Sequence, residues 1–273
     1  MLECYRVILF QRPPNLYPIP TSALHMPQDP VISSSPSSKE TYNPLRNIKA
    51  LMTPDGPSVP ASSASQSLSN LSALLVFSWH AMPLKSTASA EESLWKRSWF
   101  ELALHRWLKS SQGHIEDQTM LLFHLSSAVL HTNMANIHGL VHKFLLPKPR
   151  ASIPEALKLW HNSDDCKIAV LHASLLTQAA QRIAISPTSK SFKTPPSLGV
   201  QQPPSTAGEG PHAALCVYLA VIILWAAEVT SENTDWANAK SILEKGCNIL
   251  SQFTVRIAGV LMNVLRRLKE NIT

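Results

Sequence analysis

AALCVYLAVIILWAA, residues 213–227, is the stretch on which the fold turns. Its fifteen residues carry no charge and are bounded by His212 and Glu228. A bilayer-spanning helix needs roughly 20 apolar residues, so the run is short for that role. The chain has no second long apolar run, and neither an aromatic belt nor a Lys/Arg asymmetry frames this one. It reads as a buried helix, which places the chain among helical proteins with a sizeable core.

The remaining composition agrees. A length of 273 residues accommodates one or two domains. With 45% apolar and only 15% charged residues, the chain as a whole is too hydrophobic for a disordered tail. Eight glycines against 21 prolines disfavour Gly-rich phosphate loops, dinucleotide-binding fingerprints and Gly-turned β-sandwiches. The net charge of +6 comes from 24 scattered Lys and Arg residues, with no run of five that would build a nucleic-acid patch. Cys4, Cys166, Cys216 and Cys247 lie far apart, which excludes a cysteine-built zinc site and fits a reducing compartment. The first residues, MLECYRVILFQRPPNLYPIP, include Glu3 and lack a small-residue cleavage site, so the expected location is inside the cell.

Two stretches break the helical pattern. Eleven prolines fall within residues 1–60, and a Ser/Pro/Ala-rich run extends to residue 72, so residues 1–70 are expected to be disordered apart from a local element at 2–10. Residues 186–211, with six prolines and three glycines, are expected to form a flexible insertion. The folded part is then 71–273, a multi-helix, bundle-like all-α domain interrupted at 186–211.

Within that domain the apolar residues recur at helical spacing. Ser89 and Glu92 form a capping box, opening a helix whose expected core face carries Trp95, Trp99, Leu102 and Leu108. From about Glu116 to Phe144 the pattern fits two helices or one long one, with Leu121, Leu125, Ala128, Val129 and Thr132 on one side. Ser152 and Glu155 repeat the capping-box spacing. Ser163 reads as an N-cap, followed by Asp164 and Asp165 at a positive helix end and a helix through Ile183. Thr234 is the expected cap of a last helix to about Asn271, along which Leu243, Cys247, Leu250, Thr254, Ile257, Leu261, Val264 and Leu268 make a heptad seam. The seam serves either packing within the bundle or a homodimer through the C-terminal helix.

Candidate chemistry is sparse. His124, His131, His138 and His142 follow one another at spacings of seven, seven and four, near one stripe of a helix. Heptad neighbours sit about 10 Å apart along a helix, so only His138 and His142 could share an ion, and polar-core histidines explain the series better than zinc does. An enzyme would place its site among His124, His131, His138 and Trp160. There is no nucleophile elbow, and adjacent Asp164 and Asp165 suit capping better than acid–base work. The seven tryptophans, Trp79, Trp95, Trp99, Trp107, Trp160, Trp225 and Trp236, mostly fall on apolar helical faces and read as core. Arg256, Arg266, Arg267 and Lys269 make the last helix basic, as its C-terminal dipole favours. No residue is assigned as catalytic, cofactor-binding or metal-ligating, and DNA-binding residues are unknown.

One resemblance adds to this reading. LLFHLSSAVLHTNMANIHGLVHKF, residues 121–144, resembles a helical segment in the regulatory domain of fungal zinc-finger transcription factors. PHAALCVYLAVIILWAAE, residues 211–228, is similar to a downstream block of those proteins, and WHAMPLKSTASAEESLW, residues 79–95, stands where their preceding segment lies. The resemblance implies an all-α regulatory domain that modulates RNA polymerase II transcription in the nucleus through co-regulators, the transcriptional machinery or an effector. It also implies a zinc finger that this sequence does not contain, so no zinc or other cofactor is expected in this chain, and direct DNA binding by it is not expected. Three forms stay open: a truncated product, a partial gene model and a stand-alone domain. The alternative function is a stand-alone helical protein-interaction module, ahead of a metal-dependent enzyme using the histidine stripe; neither an enzyme nor a membrane protein is expected.

Overall fold

A computed structural model describes residues 44–53, 64–77, 90–111, 115–146, 153–185 and 211–272. Among these, all regular structure is α-helical. In chain order the helices are α1 (Pro44–Met52), α2 (Ala64–Phe77), α3 (Ala90–Ser110), α4 (Asp117–Leu130) and α5 (Met134–Leu145). They continue as α6 (Glu155–His161), α7 (Asp164–Ile185), α8 (Pro211–Val229), α9 (Trp236–Leu250) and α10 (Arg256–Glu270).

The stretch at 213–227 lies within α8, and α8 is the centre of the molecule. It packs against α4, α5, α7, α9 and α10, so apolar residues around its whole circumference find cover. Ala213, Val217, Leu219, Ile222, Ile223 and Trp225 are each fully buried. By length and composition residues His212–Val229 could cross a membrane, yet 83% of that window is buried inside this fold. A second layer, α1 to α3, packs on itself and against α4.

The expectation of disorder through residue 70 is corrected by α1 and the first half of α2. Ile48 and Leu51 on α1, and Leu71, Leu74 and Leu75 on α2, are buried at three- and four-residue spacing inside Ser- and Pro-rich surroundings. Composition averaged over a long window hides two such short stripes. Helix α3 covers α1 and α4 covers α2; on α3, Trp107 stacks on Phe123 of α4 at 5.6 Å and its Nε1 donates to the Ser67 carbonyl at 3.1 Å. The Arg106 guanidinium donates to the Thr53 carbonyl at the end of α1, a cation at a negative helix terminus. The expected element at 2–10 and the insertion expected at 186–211 lie outside the described residues, except Pro211, which opens α8.

The face of α3 is also corrected. Phe100, Ala103, Leu104 and Trp107 are buried, whereas Trp99 and Leu102 are 44% and 45% exposed. Apolar residues surround much of this helix, so periodicity alone does not select the face that packs. The segment from Glu116 to Phe144 is two helices, because the chain turns at His131 and Asn133 caps α5 by accepting the Asn136 amide. Leu121, Leu125, Ala128, Val129 and Thr132 are buried as expected. Helix α6 starts one residue after Pro154, not after Ser152, and Asp235 rather than Thr234 caps α9 by accepting the Ala237 and Asn238 amides. Ser163 does cap α7, its Oγ accepting the Cys166 amide at 3.3 Å.

The heptad seam does not run along one helix. The chain turns at residues 251–255, and α10 folds back on α9, with Lys269 Nζ 3.1 Å from Glu244 and Cys247 Sγ 3.8 Å from the Met262 carbonyl. Of its members Leu243, Leu250 and Leu268 go into the core, Cys247, Leu261 and Val264 are half-buried, and Thr254 and Ile257 are exposed. The seam's spacing survives because both arms of a helical hairpin bury a stripe against the same bundle.

Helices α8 and α9 are antiparallel, since Asn238 meets Glu228 and Gly246 meets Val221. A Cβ at Gly246 would stand 2.7 Å from both Val221 methyls and 3.1 Å from Leu265 Cδ1. Gly246→Ala should gain about 1 kcal/mol of helix propensity but lose more to overpacking, for a net destabilisation of about 1–2 kcal/mol. Urea unfolding should show that cost vanish in a Val221→Ala background, where the contacted methyls are gone. An equal cost in both backgrounds would show that the contact does not limit packing.

Candidate functional site

Helix α7 carries two unlike faces, and each builds a feature with chemical content. On one face lies a polar cluster joining α3, the turn after α4, and α7. His131, only 6% exposed, holds Nδ1 2.9 Å from Asp165 Oδ1 and Nε2 3.2 Å from Glu101 Oε1. Arg97 closes the ring, donating to Asp165 Oδ2 at 2.8 Å and lying 3.7 Å from Glu101. Trp160 donates its Nε1 proton to the His131 carbonyl at 2.8 Å, fixing the turn from the α6 side. With a carboxylate at each ring nitrogen, the imidazole bridges three helices as a doubly protonated ring and two as a singly protonated one.

Beside this cluster the Nδ1 atoms of His124 and His172 stand 3.0 Å apart, one donating and the other accepting. Phe123 contacts both rings edge-on. Burial, then His172, then Arg182 push the His124 ring down to about 4. Burial, with His131 and His105 adding repulsion, lowers His172 as well. The native state therefore holds His124 neutral, whereas an unfolded chain takes up a proton near 6.5. The stability this contributes is complete above pH 6.5 and is lost as the pH falls toward about 4. At a half-buried ring the loss should be on the order of 1–2 kcal/mol after allowance for solvent screening. Urea midpoints at pH 7.5 and 5.0 should differ more for the native chain than for His124→Gln, and equal differences would remove this pair as the cause.

The histidine series is thus divided. His124 pairs with His172 and His131 with two carboxylates, while His138 and His142 sit beyond the turn on α5. His138 is half-buried with no partner for Nε2 among the described residues, and His142 is exposed. The turn at His131 rotates α5 away from α4, so the four do not share a stripe. Among the described residues, no three His, Cys, Asp or Glu side chains converge as a metal site.

By sequence Asp165 is only a helix-end charge, yet its carboxylate makes the tertiary bonds of the cluster, while Asp164 pairs with Lys167 at the surface. No local pattern marks Glu101, Arg97 and His172, since their tertiary partners are 30 or more residues away. Of the tryptophans, Trp107 and Trp225 are core, Trp160 and Trp236 are half-buried, and Trp79 lies outside the described residues. Arg256, Arg266 and Arg267 are exposed on α10.

The other face of α7 opens onto a cleft of about 640 Å³ bounded by α8 and α9. Cys166, Val170, Ser174, Thr177 and Gln181 form the α7 wall at three- and four-residue spacing. Val221, Leu224 and Ala227 line it from α8, and Ile242, Gly246 and Ile249 from α9. This size and this largely apolar lining suit a small organic ligand. Burial pushes the Cys166 thiol up to about 11, so it stands in the wall as a thiol rather than a thiolate nucleophile. No family model, no curated protein and no solved structure matches this chain.

Proposed function

We propose that the chain is an all-α regulatory domain whose state is set by a small effector in the cleft between α7, α8 and α9. The observation that carries this reading is the cleft itself, which shares helix α7 with the Arg97–Asp165–His131–Glu101 cluster. A ligand that contacts one arrangement of α7 more favourably than another shifts the population of the two. Because Asp165 sits on α7, Glu101 on α3 and His131 at the end of α4, such a shift alters how α3 and α4 are held and changes the surface offered to a co-regulator.

The resemblance of residues 121–144 and 211–228 to fungal transcription-factor regulatory domains supplies the setting: RNA polymerase II transcription in the nucleus, with the DNA contacts made by a zinc finger not present in this sequence. The test fuses the full chain to a heterologous DNA-binding domain in a reporter strain. Reporter output should move several-fold from that of the DNA-binding domain alone, and Leu224→Trp, which fills the cleft, should shift it again. Output equal to that of the bare DNA-binding domain would overturn the regulatory reading.

A further inference from the structure

The charges around the cleft are unequal in what they have left to offer. Glu228 is the one acid lining it among the described residues, and both its oxygens are engaged: Oε1 accepts the Asp235 amide at 3.3 Å and Oε2 accepts Asn238 Nδ2 at 2.8 Å. Two lysines line the same cleft. Lys167 has its ammonium 2.8 Å from Asp164, but that pair stands out in solvent, 76% and 88% exposed, where an ion pair holds weakly. Lys245 is exposed and has no partner among the described residues. Asn238, which holds Glu228, lies seven residues before Lys245 on α9, about 10 Å of helix axis away.

Between the charged groups much of the surface is apolar, with His161, Ser174, Thr177, Gln181 and Asn238 as its polar members. Val170, Val221, Leu224, Ile242 and Ile249 come from all three helices, and the lysine stems extend that surface toward the rim. Ser174 faces the same space from α7, with no hydrogen-bond partner for its hydroxyl among the described residues. A wholly apolar ligand would leave Lys245 and Ser174 unused, and a cationic one would meet two ammonium groups and an occupied carboxylate. From this arrangement we infer that the α7/α8/α9 cleft binds an anionic amphiphile, a carboxylate-headed molecule whose apolar body lies along Val170, Leu224 and Ile242 and whose head meets Lys245. The inference rests on the effector reading above and names the chemical class of that effector.

Isothermal titration of the full chain with decanoate, decanol and decyltrimethylammonium, each below its micelle concentration, tests it. Decanoate should bind about 5-fold tighter than decanol and tighter still than the cation. Lys245→Gln should lose that 5-fold for decanoate and leave decanol unchanged, and Lys245→Arg should restore it; the exposed position of Lys245 makes both variants compatible with folding, which circular dichroism checks. Equal binding of all three probes, or preference for the cation, overturns the anionic class while the cleft reading stands. A reporter that responds to Leu224→Trp in a chain that binds no decanoate leaves the regulatory reading intact and removes this ligand. Binding to phosphatidylglycerol vesicles that persists in Leu224→Trp, without binding of free decanoate, places the anion affinity on the surface and overturns the proposal.

Discussion

Trp225→Ala should be the most damaging single substitution in the chain, costing about 3–5 kcal/mol. Trp225 is fully buried on α8, and its ring meets Phe144 of α5 edge-on at a centroid distance of 5.2 Å. Phe144 also faces Trp236 of α9 at 6.5 Å, and its carbonyl accepts Asn271 Nδ2 at 2.8 Å beyond α10. Truncation would open a large void where α5, α8 and α9 meet, and well-packed neighbours collapse into such a void only in part. For a domain of this size the cost corresponds to a fall in Tm of about 10 °C, readable by calorimetry. Trp225→Phe should behave differently. The Trp225 Nε1 is buried without a partner among the described residues, and an unmade hydrogen bond of that kind costs about 1–3 kcal/mol. Phenylalanine removes the orphaned donor while giving up some volume, so this variant should unfold within about 1 kcal/mol of the native chain. A large loss on Trp225→Phe would mean that the indole nitrogen is satisfied in solution.

The second large effect belongs to Asp165. Asp165→Ala should cost about 2–3 kcal/mol, because it strips one carboxylate from both Arg97 and the nearly buried His131. At 35% exposure some of the deficit is made up by water, which keeps the figure below that of a fully enclosed pair. The neighbouring Asp164→Ala is the matched control. Both residues lie in the first turn of α7 and both favour its positive end, but Asp164 is 88% exposed and, among the described residues, bonds only to Lys167 three residues on. Its removal should leave the urea midpoint nearly unchanged, and the difference between the two variants isolates the tertiary bonds of Asp165. If both variants lost the same stability, the cluster would count for no more than a helix-end charge.

These two sites differ in how far the sequence foretold them. Trp225 sits inside the uncharged run at 213–227, and such a run has one stable place in a helical protein, the interior. Asp165 was visible as a helix-start residue, since local capping depends on neighbours within a turn. Its bonds to Arg97 and His131 span 68 and 34 residues, and no local pattern encodes them. The same division explains α3. Its existence followed from the pattern, but the choice between a Trp99/Leu102 face and the Phe100/Leu104/Trp107 face was made by where α1, α2 and α4 stand.

By itself the sequence determined that the chain is all-α, that residues 213–227 form a buried helix, and that Leu121, Leu125, Ala128 and Val129 make the buried side of α4. Those features depend on periodicity and on apolar composition, both of which act over a few turns. The tertiary structure alone decided that the seam from Leu243 to Leu268 folds back as a hairpin, that the histidine stripe breaks at His131, and that α7 separates a charged cluster from an apolar cleft. A helix pattern states which side avoids water without naming the helix that covers it. That pairing is settled by the chain turns at 131–133 and 251–255 and by close approaches such as Gly246 on Val221, where the bundle closes around α8.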